Sequence, residues 1–228
     1  MPYPARETEF NKIPVFFIAS LMACIAGYIN SAMLIEFAIP VSQMTGIASQ
    51  ISDTALHFEW QDLLIAVTVL LGFLLGAMVS GWLIGHQQYR QNRSYGYALF
   101  CVSALLGLAS VFSYIQSEVS LFLAAAACGL QNALVASYRG LQIRTTHVTG
   151  AVTDIGVHLA NWLKGESPWG WQAWLLVVLF VSFLLGGIVG IIAYRMFPNT
   201  TMIFPSFIMA LLGIAYLRKL SNAGSKKT

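Results

Sequence analysis

Long apolar stretches separated by short polar ones dominate the pattern along this chain. A helix needs about 20 mostly apolar residues to cross a bilayer, and six segments meet or approach that length. They are residues 13–35, 63–85, 95–115, 119–138, 171–194 and 201–217. The last segment is the shortest and contains Pro205, which predicts a kink or a late helix start. The pattern therefore predicts an all-α membrane protein with six transmembrane helices.

Composition supports a membrane protein and excludes a water-solvated globule. The 228 residues are 57% hydrophobic and 9% charged, with a mean hydropathy of +0.71, whereas a typical soluble domain is about 25% charged. No polar stretch is long enough to fold alone. We therefore expect a single membrane domain over residues 1–228, in contact with the lipid bilayer and ending in a basic tail at 219–228.

The Lys and Arg residues predict the orientation of the six spans. With the N-terminus in the cytoplasm, all basic residues except Arg195 fall on the cytoplasmic side, as the positive-inside rule expects. These residues are Arg6, Lys12, Arg90, Arg93, Arg139, Arg144, Lys164, Arg218, Lys219, Lys226 and Lys227. The distribution predicts a multi-pass protein of the bacterial inner membrane with both termini in the cytoplasm.

An internal repeat divides the chain into two halves of three spans each, at about 13–116 and 117–218. Four segments of the first half reappear in the same order in the second: 26–30 as 128–132, 44–46 as 148–150, 73–77 as 183–187, and 104–109 as 210–215. Because each half has an odd number of spans, the second copy enters the membrane from the opposite side. Inverted repeats of this kind recur in secondary transporters, although a duplicated bundle without a pore remains an alternative.

Two long connections, at residues 36–62 and 139–170, occupy equivalent places in the two halves and carry polar motifs. Thr45-Gly46 and Thr149-Gly150 could each open a short half-helix, with the Thr capping free backbone N–H groups. The positive end of such a helix can face an anion or a carboxylate. We expect both loops to fold back and line a solute path; the alternative is a short helix lying on each membrane face.

Polar side chains near these loops are further candidates for contact with a solute. Asn30 and Asn132 lie within apolar spans, where the alternative to a solute contact is interhelical hydrogen bonding. His147 and Asp154 could handle a proton together, because a histidine titrates near neutral pH; alternatively, Asp154 only balances the helix dipole. Arg139 and Arg144 are membrane anchors or recruit an anionic solute.

The second-half motif resembles a known family. Residues 129–133, 146–150 and 153–154 (GLQNA, THVTG and TD) are similar to the YoaK-like family of bacterial inner-membrane proteins, and the similarity covers the chain from the first span to the last. Members usually continue the first-half motif with Asn, where this sequence has Ile47. The resemblance implies a fold and a location, but the family is one of unknown function and implies no substrate.

Motifs for other chemistry are absent from the sequence. There is no Walker loop, no His-Glu-x-x-His and no Gly-x-Ser-x-Gly, and no cluster of residues at metal-ligand spacing. We therefore expect neither an enzyme nor a cofactor, metal or nucleic-acid partner. The pattern Gly72-x-x-x-Gly76 could pack helices within one chain or in a homodimer.

The sequence thus favours a small secondary transporter or facilitator for a small polar solute, with an anion preferred. Two other classes stay open: a non-catalytic membrane partner or sensor, and an intramembrane enzyme that acts on a lipid or quinone. The residues expected along the solute path are Asn30, Thr45, Gly46, Asn132, His147, Thr149, Gly150 and Asp154.

Overall fold

The computed structural model describes residues 12–85, 92–115, 117–136 and 145–225. These residues form eight α-helices joined by short turns, with no strand among them. The helices are α1 (Lys12–Phe37), α2 (Met44–Leu56), α3 (Trp60–Ile84), α4 (Arg93–Tyr114), α5 (Val119–Ala136), α6 (Val148–Leu163), α7 (Trp171–Met196) and α8 (Ile203–Ser225). The all-helical class predicted from the sequence is confirmed.

Five of the helices, α1, α3, α4, α7 and α8, are long and apolar enough to cross a membrane. The predicted fourth span is shorter over the part of the chain that is described: the apolar helix Val119–Leu134 lies within α5, and residues 137–138 of that prediction fall outside the described residues. The sixth span begins late, at Ile203, which places Pro205 in the first turn of α8. Proline is tolerated there because its missing N–H would have no helical partner.

The two long connections contain α2 and α6, so the helices predicted within these loops are confirmed. α2 follows α1 and α6 follows α5, and each packs on the next helix along the chain: α2 on α3, and α6 on α7. In α2, Ile47 is fully buried, whereas the described residues of α6 include no buried one. The second connecting helix therefore lies more loosely on the bundle than the first.

The bundle is assembled from four extensive helix pairs, α1 with α7, α3 with α5, α4 with α8, and α4 with α5. α1 and α5 also touch each other, and they supply much of the core: Ile29 and Met33 of α1, with Leu121 and Leu130 of α5, are almost completely buried. The outward faces of α3 and α7 carry large exposed apolar side chains, such as Trp82 and Leu185. These faces suit contact with lipid.

Two glycines that correspond in the internal repeat make the same close approach. A Cβ added to Gly27 of α1 would lie 2.0 Å from the carbonyl oxygen of Phe183 in α7. A Cβ added to Gly129 of α5 would lie 2.0 Å from the carbonyl oxygen of Phe73 in α3. Since Gly27 pairs with Gly129 and Phe73 with Phe183 in the sequence repeat, one helix contact occurs twice in the molecule.

A second matched pair of glycines, on the partner helices α3 and α7, makes close contacts at the same two interfaces. A Cβ on Gly76 would lie 1.9 Å from the carbonyl oxygen of Ala126, and a Cβ on Gly186 would lie 1.9 Å from that of Cys24. Gly72 also faces α5, through Phe122. The Gly72-x-x-x-Gly76 face therefore packs within one chain, against α5, and supports no homodimer.

Six of the basic residues from which the orientation is predicted lie outside the described part of the chain. Arg6, Arg90, Arg139, Arg144, Lys226 and Lys227 lie outside the described residues. Of the others, Arg93 begins α4, Lys164 follows α6, and Arg218 and Lys219 lie near the end of α8. The side of the membrane on which the termini lie stays a prediction.

Candidate functional site

Asn30 ties the first long connection to the interior of the bundle. Its Oδ1 accepts hydrogen bonds from the backbone N–H of Ser42 at 3.0 Å and from the Ser42 hydroxyl at 2.9 Å. Asn30 is only 3% exposed and Ser42 4%. Because a buried amide oxygen without donors would be costly, this pair of bonds satisfies Asn30 and fixes the point at which the connection begins α2.

The first connection folds back along α1. Asn30 lies seven residues before the end of α1 at Phe37, which is about 10 Å along a helix that rises 1.5 Å per residue. The chain reverses at Ala38, whose φ is +59°, and Ile39 and Val41 are buried on the way back to Ser42. We define residues 38–43 as the first elbow. It folds back against α1, whereas a solute path along it stays a prediction.

The second connection repeats this arrangement at the end of α5. The backbone N–H of Thr146 donates to Oδ1 of Asn132 at 3.4 Å, and Asn132 and Thr146 correspond in the repeat to Asn30 and Ser42. Thr145 beside them is 3% exposed, and its hydroxyl has no partner among the described residues. We define residues 145–147 as the second elbow. Among the described residues, one hydrogen bond of 3.4 Å holds the second elbow, where the first elbow has two.

The two asparagines therefore tether the elbows. α1 is continuous past Asn30 and α5 past Asn132, so neither residue unwinds its helix. Of the two sequence interpretations, hydrogen bonding is observed, although its partner is an elbow and not another spanning helix. Contact of either amide with a solute stays a prediction.

Thr45 and Thr149 do not cap their helices. The N-cap residues are Gln43 and His147, and neither side chain caps the first turn. α2 and α6 begin one residue before the threonines, which are already helical and exposed. The expected capping role is thus wrong, because a capping side chain must precede the first helical residue. The first-turn N–H groups keep no capping side chain.

The two glycines of the Thr-Gly motifs have different surroundings. A Cβ on Gly46 would meet only the side chain of Gln43, at 4.0 Å, so this position is open. A Cβ on Gly150 would lie 2.2 Å from Cδ2 and 2.4 Å from Nε2 of His147. The imidazole ring of His147 thus lies over the first turn of α6, and a larger residue at position 150 would displace it.

His147 and Asp154 are not brought together. Both side chains are exposed, and seven residues separate them by about 10 Å along α6. The salt bridges within the described ranges join His57 to Asp53 and Lys164 to Glu166, and neither involves this pair. Proton handling by His147 with Asp154 stays a prediction without a supporting contact.

Further polar groups between the helices were not predicted from the sequence. Gln131 is 1% exposed; its Nε2 donates to the backbone carbonyl of Met22 at 2.7 Å, while its Oε1 has no partner among the described residues. The half-buried Glu36 accepts a hydrogen bond from the Ser113 hydroxyl. The spacing of apolar residues could have indicated that Glu36 faces inward. It follows Ile25, Ile29 and Ala32 at spacings of four, three and four, and so shares the buried face of α1.

Comparisons with known proteins place the chain among membrane proteins without a described activity. A family described as "Protein of unknown function (DUF1275)" matches residues 18–215. The curated UPF0700 transmembrane protein RA0705 of Rhizobium meliloti (strain 1021) is 31% identical over 118 residues, which are 52% of this chain and 51% of that protein. The chain spans about half the length of that curated relative. No solved structure matches it.

These matches agree with the resemblance drawn from the sequence motifs. The YoaK-like, DUF1275 assignment is confirmed. With the apolar helices α1, α3, α4, α7 and α8, the transmembrane relative identifies an integral membrane protein in contact with lipid.

Proposed function

The chain belongs to the DUF1275 family of proteins of unknown function, and from its helix packing we propose that it is a small secondary transporter or facilitator. The solute would be small and polar, with an anion preferred at the uncapped starts of α2 and α6. The proposal assigns no catalysis to the chain. It also keeps the inner-membrane location and the cytoplasmic termini expected from the basic residues.

The observation that carries the proposal is that equivalent helices of the two halves make equivalent contacts. The α1–α7 interface matches the α5–α3 interface glycine for glycine, and α2 lies on α3 as α6 lies on α7. With three spans in each half, such a duplication gives two copies inserted in opposite senses. Inverted repeats let a transporter exchange an inward-open and an outward-open arrangement by swapping the conformations of its halves.

The departure from symmetry supports a transport cycle. α4 packs extensively on α5, whereas the equivalent pair, α8 and α1, meets at only a few residues. Two copies with matching sequences adopt different arrangements, as expected when one half is in the closed and the other in the open conformation of a cycle. A bundle that served only as a scaffold would need no such difference.

Buried polar groups give the proposed path its chemistry. The free Oε1 of Gln131 and the tethered amides of Asn30 and Asn132 lie on α1 and α5, which touch each other within the bundle. Irregular backbone, such as the two elbows, is tolerated at membrane depth where protein or a water-filled cavity covers it. The elbows and these amides are therefore the part of the molecule that we assign to the solute.

Reconstituted protein tests the proposal. Purified protein in liposomes should accumulate or release a solute found by a thermal-shift screen of small polar compounds. Asn132→Ala and Thr149→Ala should lower this flux at least tenfold while Asn222→Ala, an exposed asparagine in α8, should leave it unchanged. Normal flux in both site variants would show that the path lies elsewhere.

The exposed face of α6 favours a second candidate, a non-catalytic membrane partner. None of its described residues is buried, and the exposed side chains of Val152, Leu159 and Leu163 follow one another at spacings of seven and four, on one face of the helix. An apolar face of this kind suits either the membrane interface or another protein. Stable co-purification with one partner, lost on Leu159→Asp, together with no flux of any solute, would favour this candidate over transport.

A further inference from the structure

We propose that Glu36 binds the proton that drives the transport cycle, and that its carboxylate latches α1 to α4 at their shared end. The inference rests on the proposed function, because it assigns a regulating ion to the same bundle. It begins from the only described hydrogen bond that the Glu36 side chain makes, which it accepts from the Ser113 hydroxyl.

The Glu36–Ser113 bond spans a gap between two helices. Glu36 lies in the last turn of α1 and Ser113 in the last turn of α4, yet in the described residues the backbones of these helices do not pack on each other. Both helices instead contact α5. The glutamate side chain is therefore a direct link between α1 and α4 at this end.

Buried hydroxyl groups lie near both residues of this bond: Ser110 is one turn before Ser113 in α4, and Ser120 of α5 contacts Met33, one turn before Glu36. Ser113 is 1% exposed, Ser110 one turn below it is 3% exposed, and Ser120 at the start of α5 is fully buried. The Ser110 hydroxyl has no partner among the described residues, and the Ser120 hydroxyl has only a weak contact of 4.0 Å with the sulfur of Met33. These groups can bind water or a proton carrier without competing for the carboxylate.

The second carboxylate oxygen of Glu36 is the place where a proton can bind. Oε2 is buried and has no hydrogen-bond partner in the part of the chain described. No described Lys, Arg or His forms a salt bridge with Glu36. Tyr194 of α7 is the titratable side chain that interacts with it electrostatically, while α4 presents the hydroxyls of Ser110 and Ser113. A buried carboxylate without a cation is costly, and a bound proton removes that cost.

Proton binding weakens the latch. The proton adds to Oε2 and no other bond forms or breaks, so the hydrogen bond from Ser113 changes from charge-assisted to neutral. Charge-assisted hydrogen bonds are about twice as strong as neutral ones. The ends of α1 and α4 therefore separate more readily when Glu36 is protonated, which opens this end of the bundle.

Among the described residues, the Glu36–Ser113 latch has no counterpart at the other end of the bundle. In the repeat, Ser113 corresponds to Lys219, which is exposed at the far end of α8. The two ends of the bundle thus differ in chemistry although their helices correspond. Such a difference gives a transport cycle a direction, because protons act at one end only.

Electron paramagnetic resonance distances test the latch in the full chain. Spin labels are placed at Ile35→Cys and Tyr114→Cys, both exposed, after replacing Cys24, Cys101 and Cys128 by Ala. Between about pH 8 and about pH 4, a range that protonates glutamate, the ratio of parted to closed helix ends should rise about tenfold, as expected for a weakened charge-assisted bond.

Three variants make the result decisive. Glu36→Gln, which mimics the protonated side chain, should be parted at every pH, and Ser113→Ala should behave in the same way. Glu59→Gln, at an exposed acid before α3, should titrate like the wild type. The inference is overturned if the distance between the labels in the wild type does not change with pH. It is also overturned if the Glu36→Gln variant keeps the pH response, or if the Glu59→Gln variant loses it. An equal change in distance caused by Na⁺ at constant pH would overturn it as well.

The distance measurement needs no solute, so it is independent of the flux assay. A pH-dependent latch without flux of any solute would remove the proposed function and leave Glu36 as a proton site. Flux without a pH response would remove the latch alone.

Discussion

Single polar side chains determine how the two connections enter the bundle. Asn30 and Asn132 hold the elbows through the same atom, Oδ1, but the first accepts two hydrogen bonds near 3.0 Å and the second one at 3.4 Å. The sequence predicted both amides as important because they interrupt apolar spans. It could not predict their partners, because Ser42 and Thr146 become neighbours only after the chain has folded back.

The difference in hydrogen bonding predicts an order of stability among asparagine variants. Asn30→Ala leaves two buried donors of Ser42 unsatisfied and should lower the free energy of unfolding by about 1–3 kcal/mol. Asn132→Ala should lower the free energy of unfolding by less. Asn222→Ala, at an exposed position, should change it by no more than about 0.5 kcal/mol. Thermal unfolding in detergent measures the series. A loss for Asn132→Ala as large as that for Asn30→Ala would contradict this account of the elbows.

The helices themselves were predictable where one property accumulates over many residues. Hydropathy over about 20 positions identified the spans, and their ends agree with α1, α3, α4 and α7 to within a few residues. Features that depend on one position were less predictable. Thr45 missed the capping position by two residues, and the hydrogen bond between Glu36 and Ser113 was not predicted, because it depends on how α1 and α4 are placed in the bundle.

Helix packing predicts opposite outcomes for two glycine substitutions. Gly27→Ala forces a methyl group against the α7 backbone at Phe183 and should destabilise the protein by about 1–3 kcal/mol or prevent folding. Gly81 of α3 is the matched control, because its Cβ would meet nothing within 4 Å; Gly81→Ala should be neutral or stabilise by up to about 1 kcal/mol. Thermal unfolding again provides the measurement, and equal melting of both variants would exclude the close α1–α7 interface.

At the scale of the whole molecule, distant contacts resemble each other, as the proposed duplication predicts. Gly27 with Phe183 repeats as Gly129 with Phe73, and Asn30 with Ser42 repeats as Asn132 with Thr146. The matched motifs made this correspondence visible in the sequence. The looser position of α8 and α6 was not predictable, because matching sequences cannot show which of two arrangements each half adopts.

Accessibility labelling tests the opposite insertion of the two halves most directly. Ser49 of α2 and Thr153 of α6 correspond in the repeat, and both are exposed. In a cysteine-free background, a membrane-impermeant maleimide added to intact cells should label Ser49→Cys, and should label Thr153→Cys only after the membrane is opened. Labelling of both positions from the same side would contradict an inverted duplication and the transport path built on it.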